Sequence, residues 1–286
     1  MECRFLQAKD FSTLHKTYLK AFSDYIVKMQ PTQEQLLEMM TRRGIDYDLS
    51  VGAFDNGELV GFNLNGIDEW NRSLTIYDIS TGIIPEYRGR GITYQLFNFS
   101  LGRLKSSNAK QYILEVIETN EKAIRVYSKV GFKEVRKLAC FILKLDRINR
   151  DKVAQIKLNY KIESQPDWEL YKSFWDWQPS WQNSINSIKR SNENKVIISA
   201  WQNDNRIGYG VIYPATGDIP QFAIDKRYRR KGVGSNLMVE LLKYLPSDKP
   251  ARIINVDKLA QQTIDFYTSI GFENFINTKE MCLEIR

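Results

Sequence analysis

The segment Tyr87-Arg88-Gly89-Arg90-Gly91-Ile92 recurs 141 residues later as Tyr228-Arg229-Arg230-Lys231-Gly232-Val233. A second segment keeps nearly the same offset, because Val-Tyr-Ser-Lys-Val-Gly-Phe at 126–132 corresponds to Phe-Tyr-Thr-Ser-Ile-Gly-Phe at 266–272. Cys140 and Cys282 add a third marker in the terminal apolar segment of each half. Three markers in one order at a steady offset indicate that a whole domain was duplicated.

The length of the chain and the order of its elements agree with two similar domains. The 286 residues are ample for two small domains. The junction falls in a polar stretch, so we predict an N-terminal domain at 1–146 and a C-terminal domain at 155–286. In each half two helical segments precede a group of strands, and helices and strands then alternate. This order predicts an α+β fold with a central mixed sheet in each domain.

Two local patterns predict element boundaries. Thr32-x-x-Gln35 is a capping box that begins a helix, and Asn56-Gly57 is typical of a two-residue hairpin turn between strands. Two short strands are expected at 132–136 and 139–145, and the second half is expected to end in two strands as well.

Composition excludes several classes of site. The chain has three cysteines, without a Cys-x-x-Cys pair, and a single histidine, His15. We therefore expect no metal site and no histidine-dependent triad, so proton transfer falls to Glu, Asp, Tyr, Lys or water. No apolar run approaches the roughly 20 residues that a membrane helix needs, and the charged N-terminus does not resemble a signal peptide. We expect a cytoplasmic protein that does not bind membranes.

The formal net charge of +7 raises the alternative of nucleic-acid binding, which predicts an affinity that falls steeply with salt. However, much of the positive charge is concentrated in the two repeated loops. Such clustering fits two small phosphate sites better than a long duplex-binding surface. We therefore expect no nucleic-acid partner.

Each repeated loop follows a predicted strand and opens a predicted helix. The N-terminus of a helix offers free backbone N–H groups and the positive end of the helix dipole. Glycines allow the backbone to approach an anion closely, and arginines add charge-assisted hydrogen bonds. A pyrophosphate fits such a place, although one such loop alone is more simply an ordinary turn with solvated arginines.

The loops resemble the acetyl-CoA signature of the GNAT superfamily, Gln/Arg-x-x-Gly-x-Gly/Ala. Arg229, Gly232 and Gly234 match it fully, whereas Arg88 and Gly91 match with Thr93 in the third place. The resemblance implies two tandem GNAT domains, each with a mixed, mostly antiparallel β-sheet flanked by α-helices. It also implies acetyl-CoA as co-substrate, with its pantetheine arm in an opening between the fourth and fifth strands.

The resemblance assigns cofactor binding to the end of the fourth strand, the loop and the first helical residues in each domain. In the N-terminal domain these residues are Gly82, Ile83, Arg88, Gly89, Arg90, Gly91, Ile92 and Thr93, together with Asn120. In the C-terminal domain they are Ala223, Ile224, Arg229, Arg230, Lys231, Gly232, Val233 and Gly234.

The segment from Leu114 to Phe132 resembles the catalytic half of the enzymes that acetylate ribosomal-protein N-termini. Asn120 and Tyr127 stand on one face of a predicted helix. The resemblance implies that the Tyr127 hydroxyl lies near the thioester sulfur and protonates the departing thiolate. A phenol pKa of about 10 and a thiol pKa of about 8.5 make that transfer reasonable. The alternative for Tyr127 is a core aromatic.

Glu115 interrupts the apolar strand Tyr112–Ile117, and a carboxylate in such a strand is costly unless it is paired or used. It matches the general base of the family, which would remove a proton from the incoming ammonium. The alternative is an ion pair with a nearby arginine.

The C-terminal domain keeps Tyr267 but has Asn255 and Ala260 where Glu115 and Asn120 are expected. We therefore expect the N-terminal domain to be catalytic. Four tryptophans of the second half indicate either core packing or an apolar acceptor pocket: Trp168, Trp175, Trp177 and Trp181.

The pattern as a whole predicts an acyl-CoA-dependent N-acetyltransferase that works by direct transfer in a ternary complex. The alternative is a non-catalytic acyl-CoA-binding or sensing module. The sequence does not name the amine acceptor, and a monomer or a homodimer is expected.

Overall fold

The computed structural model describes residues 1–27, 29–154 and 156–285, which form two compact units. Unit 1 contains residues 1–135 with two short additions, 189–191 and 279–285. Unit 2 contains residues 136–188 and 192–278. Compared with the predicted stretches 1–146 and 155–286, residues 136–146 are grouped with unit 2, and residues 189–191 and 279–285 are grouped with unit 1.

Unit 1 has a mixed sheet with helices. Its elements are β1 Glu2–Phe5, α1 Phe11–Ala21, α2 Gln33–Arg42, β2 Ile45–Asp55, β3 Glu58–Trp70, β4 Ser73–Ile83, α3 Ile92–Ser106, β5 Gln111–Ile117 and α4 Glu121–Val130. Strands β1 to β4 pair antiparallel in chain order, and β5 pairs parallel to β4.

Unit 2 has the same order of helices and strands as unit 1, and it also begins with a short strand. They are β7 Asn159–Ile162, α5 Trp168–Ser173, α6 Ile185–Arg190, β8 Val196–Gln202, β9 Asn205–Tyr213, β10 Asp218–Ile224, α7 Val233–Leu242, β11 Ala251–Asp257 and α8 Gln261–Ile270. The last two residues of α6 are grouped with unit 1. Strands β7 to β10 are antiparallel neighbours, and β11 is parallel to β10. The α+β prediction with a mostly antiparallel sheet is confirmed.

Two turn predictions are also confirmed. Thr32 and Gln35 form the reciprocal capping box that begins α2. Asn56 and Gly57 join β2 to β3 with φ angles of 49° and 83°, which a two-residue hairpin turn of this hand requires.

The prediction of two short terminal strands in each half is wrong. Lys133–Leu143 is one strand, β6, and Glu273–Glu284 is one strand, β12. The residues between the two predicted pieces of β6, Lys137 and Leu138, include no glycine, proline, asparagine or aspartate that would favour a turn. Each strand therefore continues from one unit into the other.

This continuity completes both cores. Met281 is buried in the core of unit 1 with residues of β5 such as Leu114. Phe141 and Leu143 of β6 are buried in the core of unit 2, where Tyr267 and Phe272 also lie. Each apolar core is thus closed by side chains from the opposite half of the sequence.

Candidate active site

The sheet of unit 1 opens between its two parallel strands. β4 and β5 pair only where Thr75, Ile76 and Tyr77 face residues 111–113, although both strands continue beyond that point. The register of β4 against β3 shifts at Ile79, which is an extra residue in β4. A bulge of this kind bends a strand and redirects its side chains. The side chains after the bulge therefore line the opening.

A buried carboxyl group, Asp78, lies next to this bulge. Thr81 Oγ1 donates a hydrogen bond to Asp78 Oδ2 at 2.7 Å, and the Tyr127 hydroxyl is also hydrogen-bonded to this carboxyl. Burial, together with the negative charge of Glu115, raises the pKa of Asp78 to about 7 against the opposing effect of the two hydrogen bonds and Arg43. Asp78 can therefore hold or release a proton near neutral pH.

Tyr127 joins α4 to this carboxyl group. The residue is half-buried as a whole, but burial of its hydroxyl and the nearby Asp78 charge raise the pKa of Tyr127 well above its usual value. Its ring packs edge-on against Phe97 and Phe132, with centroids 6.1 and 5.9 Å away. The packing fixes the ring, so the hydroxyl is held beside Asp78.

Glu115 belongs to the same region and has a tyrosine partner of its own. The Tyr77 hydroxyl donates a hydrogen bond to Glu115 Oε2. Tyr77 is fully buried, and burial together with the Glu115 charge raises its pKa well above the usual value. Arg43, whose Nη1 donates to the carbonyl of Ile79 at 3.1 Å, adds a positive charge to the cluster.

Asn120, expected near the CoA chain, caps a helix. Its Oδ1 accepts a hydrogen bond from the backbone N–H of Ala123 at 3.2 Å, at the start of α4. Its side chain is also hydrogen-bonded to the Tyr25 hydroxyl. Ala260, the corresponding residue of unit 2, has no side-chain oxygen to make such a cap.

Arg88 and Arg229 make equivalent hydrogen bonds within the protein. Arg88 contacts both Asp24 oxygens at 2.7 Å, and it donates to the carbonyls of Ile83 and Ala21. Arg229 contacts Asp176 and the carbonyls of Ile224 and Phe174 in the same way. Both guanidinium groups therefore tie the loop to the preceding strand and to the early helical region.

The loop backbones have the shape of an anion site. Gly89 and Gly91 have φ angles of 76° and 74°, and Gly91 is the residue before α3. The corresponding Arg230 and Gly232 have 59° and 80°, so an arginine takes a conformation that favours glycine. When residues with positive φ alternate with residues of negative φ, successive backbone N–H groups turn towards one point. This is a common anion-binding arrangement.

The remaining loop residues have varied environments. Arg90 lies 4.7 Å over the Tyr87 ring, and Lys231 donates to the carbonyl of Arg227. The first helical residues, Ile92 and Val233, are buried. Thr93 is half-buried, as are Ile83, Ala223 and Gly234, whereas Gly82 and Ile224 are buried.

The two loops differ in how open they are. A Cβ atom placed on Gly91 would have no neighbour within 4 Å. One placed on Gly232 would overlap the Cβ of Ala154, whose carbonyl also accepts a hydrogen bond from Asn236 at 2.8 Å. Ala154 therefore lies against the loop of unit 2.

Unit 2 has a large pocket but different polar groups. A cavity of about 770 Å³ follows β10, and Ala223, Ile224, Arg229, Arg230, Gly232 and Gly234 are among its lining residues. Tyr267 also lines it, and burial raises the pKa of that hydroxyl. Ile219 stands where the repeat places Asp78, and Asn255 is hydrogen-bonded to Ser180 and Thr278.

The Acetyltransferase (GNAT) family model matches residues 12–132 and 160–272. The chain belongs to this family. Its curated relatives include the streptothricin acetyltransferase of Streptomyces lavendulae, which is 36% identical over 84 residues. That match covers 29% of this chain and 42% of the relative. The N-alpha-acetyltransferase 30 of Schizosaccharomyces pombe is 32% identical over 98 residues, which are 34% of this chain and 65% of the relative.

Solved structures show the tandem GNAT fold over the whole chain. A tandem GNAT protein from the clavulanic acid biosynthesis pathway is 13% identical, with a TM-score of 0.78 and coverage of 100% of this chain and 99% of that one. A putative acetyltransferase from Pyrococcus horikoshii is 13% identical, with a TM-score of 0.71 and coverage of 100% and 89%. At these identities the likeness establishes the fold alone.

The GNAT residues that the sequence pattern singled out are only part of the polar cluster in unit 1. The pattern does not identify Asp78 as a site residue, nor Tyr77, Thr81 and Arg43 as members of this cluster. One signal for Asp78 was present, because it interrupts the apolar stretch Ile76–Ile79 much as Glu115 interrupts β5.

Two properties of the described residues concern metal binding and membrane insertion. Among the described residues there is no group of three or more His, Cys, Asp and Glu side chains that could hold a metal ion. No helix within the described ranges is long and apolar enough to cross a membrane.

Proposed function

We propose that the protein transfers an acetyl group from acetyl-CoA to an amine, and that unit 1 performs the reaction. The observation that supports this most is the contact between Tyr127 and Asp78 where β4 and β5 stop pairing. It couples a phenol, which can protonate a thiolate, to a carboxyl group that can exchange a proton near neutral pH.

The proposed reaction is a direct transfer within a ternary complex. Acetyl-CoA supplies an activated carbonyl carbon. Glu115 removes a proton from the bound ammonium, and the free amine then forms the C–N bond while the C–S bond breaks. Tyr127 gives its proton to the departing sulfur. Asp78, hydrogen-bonded to the same hydroxyl, restores that proton and takes up the second proton that the nitrogen loses as the amide forms, while Glu115 releases its proton to solvent. Backbone N–H groups stabilise the oxyanion.

The loop of unit 1 would hold the pyrophosphate. Gly89 and Gly91 supply the positive φ angles, and the space at Gly91 is open. Because Arg88 is already bonded to Asp24, we assign it to shaping the loop, so the backbone N–H groups and Arg90 make the phosphate contacts. Gly82 and Ile83, at the end of β4, are the proposed backbone partners of the pantetheine arm.

A second candidate function is acyl-CoA binding without transfer. Unit 2 favours it for that half of the chain, because its cavity is lined by the loop and by Tyr267, but Ile219 and Asn255 stand at the positions of the two carboxylates. The two functions can coexist in one chain, with catalysis in unit 1 and binding in unit 2.

The test is a thiol-release assay with acetyl-CoA and a panel of amines that includes peptide N-termini, lysine, polyamines, amino sugars and aminoglycosides. We expect turnover with at least one amine, and its loss in Tyr127→Phe. Saturable acetyl-CoA binding without turnover of any amine would support the binding module. No binding of acetyl-CoA by the wild-type protein would contradict both functions.

A further inference from the structure

The cavity of unit 2 is long and has two chemically different ends. Six consecutive residues of β10, from Ile219 to Ile224, line it. At about 3.3 Å per residue this strand segment extends the cavity by roughly 16 Å away from the loop. A volume of about 770 Å³ lies within the range of sites that enclose a whole small molecule.

The end next to the loop is polar and carries cationic side chains. Arg230 and Lys152 line it and are exposed, and Gly232 precedes helix α7 there. Arg229 and Asp176 also line it, but they are paired with each other at 2.5 Å. This end suits an anionic group of the ligand.

The opposite end is aromatic and uncharged. Trp175 and Tyr209 line it beside Gln221, which lies three residues before the end of β10. Its polar atoms are used within the protein: Trp175 Nε1 donates to the Tyr209 hydroxyl at 2.6 Å, and that hydroxyl donates to Gln221 Oε1 at 2.8 Å. Gln221 in turn donates to the carbonyl of Asn183 at 2.7 Å. Because these groups satisfy one another, the end suits an apolar, flat group.

We propose that unit 2 binds an acyl-CoA whose acyl group is aromatic, and that it holds this molecule without transferring the acyl group. The proposal rests on the second candidate function, acyl-CoA binding by unit 2 without transfer, and adds the aromatic acyl group to it. The phosphates bind at the loop with Arg230 and Lys152. The acyl group lies against Trp175 and Tyr209.

The absence of transfer follows from the residues around Tyr267. In unit 1 the corresponding tyrosine is bonded to Asp78 and lies in a cluster with Glu115. In unit 2 the repeat places an isoleucine and an asparagine at those positions, and neither side chain can accept a proton from an ammonium. Ligand held there is bound and not consumed.

Tryptophan fluorescence is a direct readout, because Trp175 and Trp177 line the cavity and Trp70 is the one tryptophan of unit 1. The full-length protein is titrated separately with benzoyl-CoA, acetyl-CoA, CoA and benzoate. We expect saturable quenching by benzoyl-CoA with a Kd at least about tenfold below that for acetyl-CoA, given what added apolar carbons contribute in a pocket. Benzoate should bind far more weakly than benzoyl-CoA.

Two loop variants assign the signal to its unit. Arg230→Glu should weaken benzoyl-CoA binding about tenfold or more, whereas Arg90→Glu, in the loop of unit 1, should leave it unchanged. Thiol release from benzoyl-CoA should stay at the rate without enzyme in Tyr127→Phe, which leaves unit 2 intact.

Equal affinity for acetyl-CoA and benzoyl-CoA would overturn the proposal, as would benzoate binding as well as benzoyl-CoA or the absence of saturable quenching. Turnover of acetyl-CoA without quenching by benzoyl-CoA would contradict this inference and leave the transferase function standing. Quenching by benzoyl-CoA without turnover of acetyl-CoA would instead remove the transferase function and leave the binding site.

Discussion

Asp78→Asn should change how the stability of the protein depends on pH. In the folded chain Asp78 is 6% exposed, and burial raises its pKa from 3.8 to about 7. Between these values the folded state retains a proton that the unfolded state has released. The stabilising contribution is therefore complete below pH 3.8 and is lost as the pH rises through 7.

The magnitude follows from the two pKa values. At 1.36 kcal/mol per pKa unit, the free energy of unfolding of the wild type should fall by up to about 4 kcal/mol relative to Asp78→Asn between pH 4 and pH 8. The groups that set this value are Glu115 and Tyr112 on β5, Tyr127 on α4, Thr81 on β4 and Arg43 after α2. Asparagine keeps the size of the side chain and does not titrate.

The assay is urea unfolding of both proteins, followed by circular dichroism at each pH unit from 4 to 8. Subtracting one free energy of unfolding from the other removes the contribution of the groups that titrate alike in both proteins. A difference that stays within about 1 kcal/mol across this range would refute the reasoning. A difference that favours the wild type increasingly as the pH rises would show that Asp78 is ionised and stabilised by Arg43.

Three further predictions concern catalysis and backbone strain. Tyr127→Phe should lower kcat about 10²–10⁴-fold with little change in acetyl-CoA affinity, whereas Tyr267→Phe should change kcat little; the opposite pattern in steady-state kinetics would place the chemistry in unit 2. Glu115→Gln should slow turnover most at low pH, where the amine is protonated, and a pH profile parallel to that of the wild type would contradict the base role. Gly217→Ala should destabilise the protein by at least about 2 kcal/mol more than Gly57→Ala in thermal or urea unfolding. Both have φ near +80°, but only at Gly217 would the new Cβ meet a backbone carbonyl, so equal losses would refute the argument.

The sequence by itself determined the duplication and the local structure that it repeats. The equal spacing of the two loops and the two Gly-Phe segments was enough to predict two domains of one fold. Turns and helix starts depend on neighbouring residues, so a repeated sequence predicts repeated local structure. The capping box at Thr32 and the hairpin at Asn56-Gly57 were predictable for the same reason. Periodicity also showed that Glu115 is a carboxylate in an apolar strand.

Contacts between distant residues were decided only by the tertiary structure. Asp78 and Tyr127 are 49 residues apart, and no local pattern relates a residue at a β4 bulge to one on α4. The partners of Arg88 and Arg229 likewise lie in earlier helical regions, so a motif that predicts phosphate binding could not show that both guanidinium groups are already bonded. The strands β6 and β12 each complete a core formed mainly by the other half of the sequence. A strand has unsatisfied backbone groups and an apolar face, and its local sequence does not specify which sheet will satisfy them.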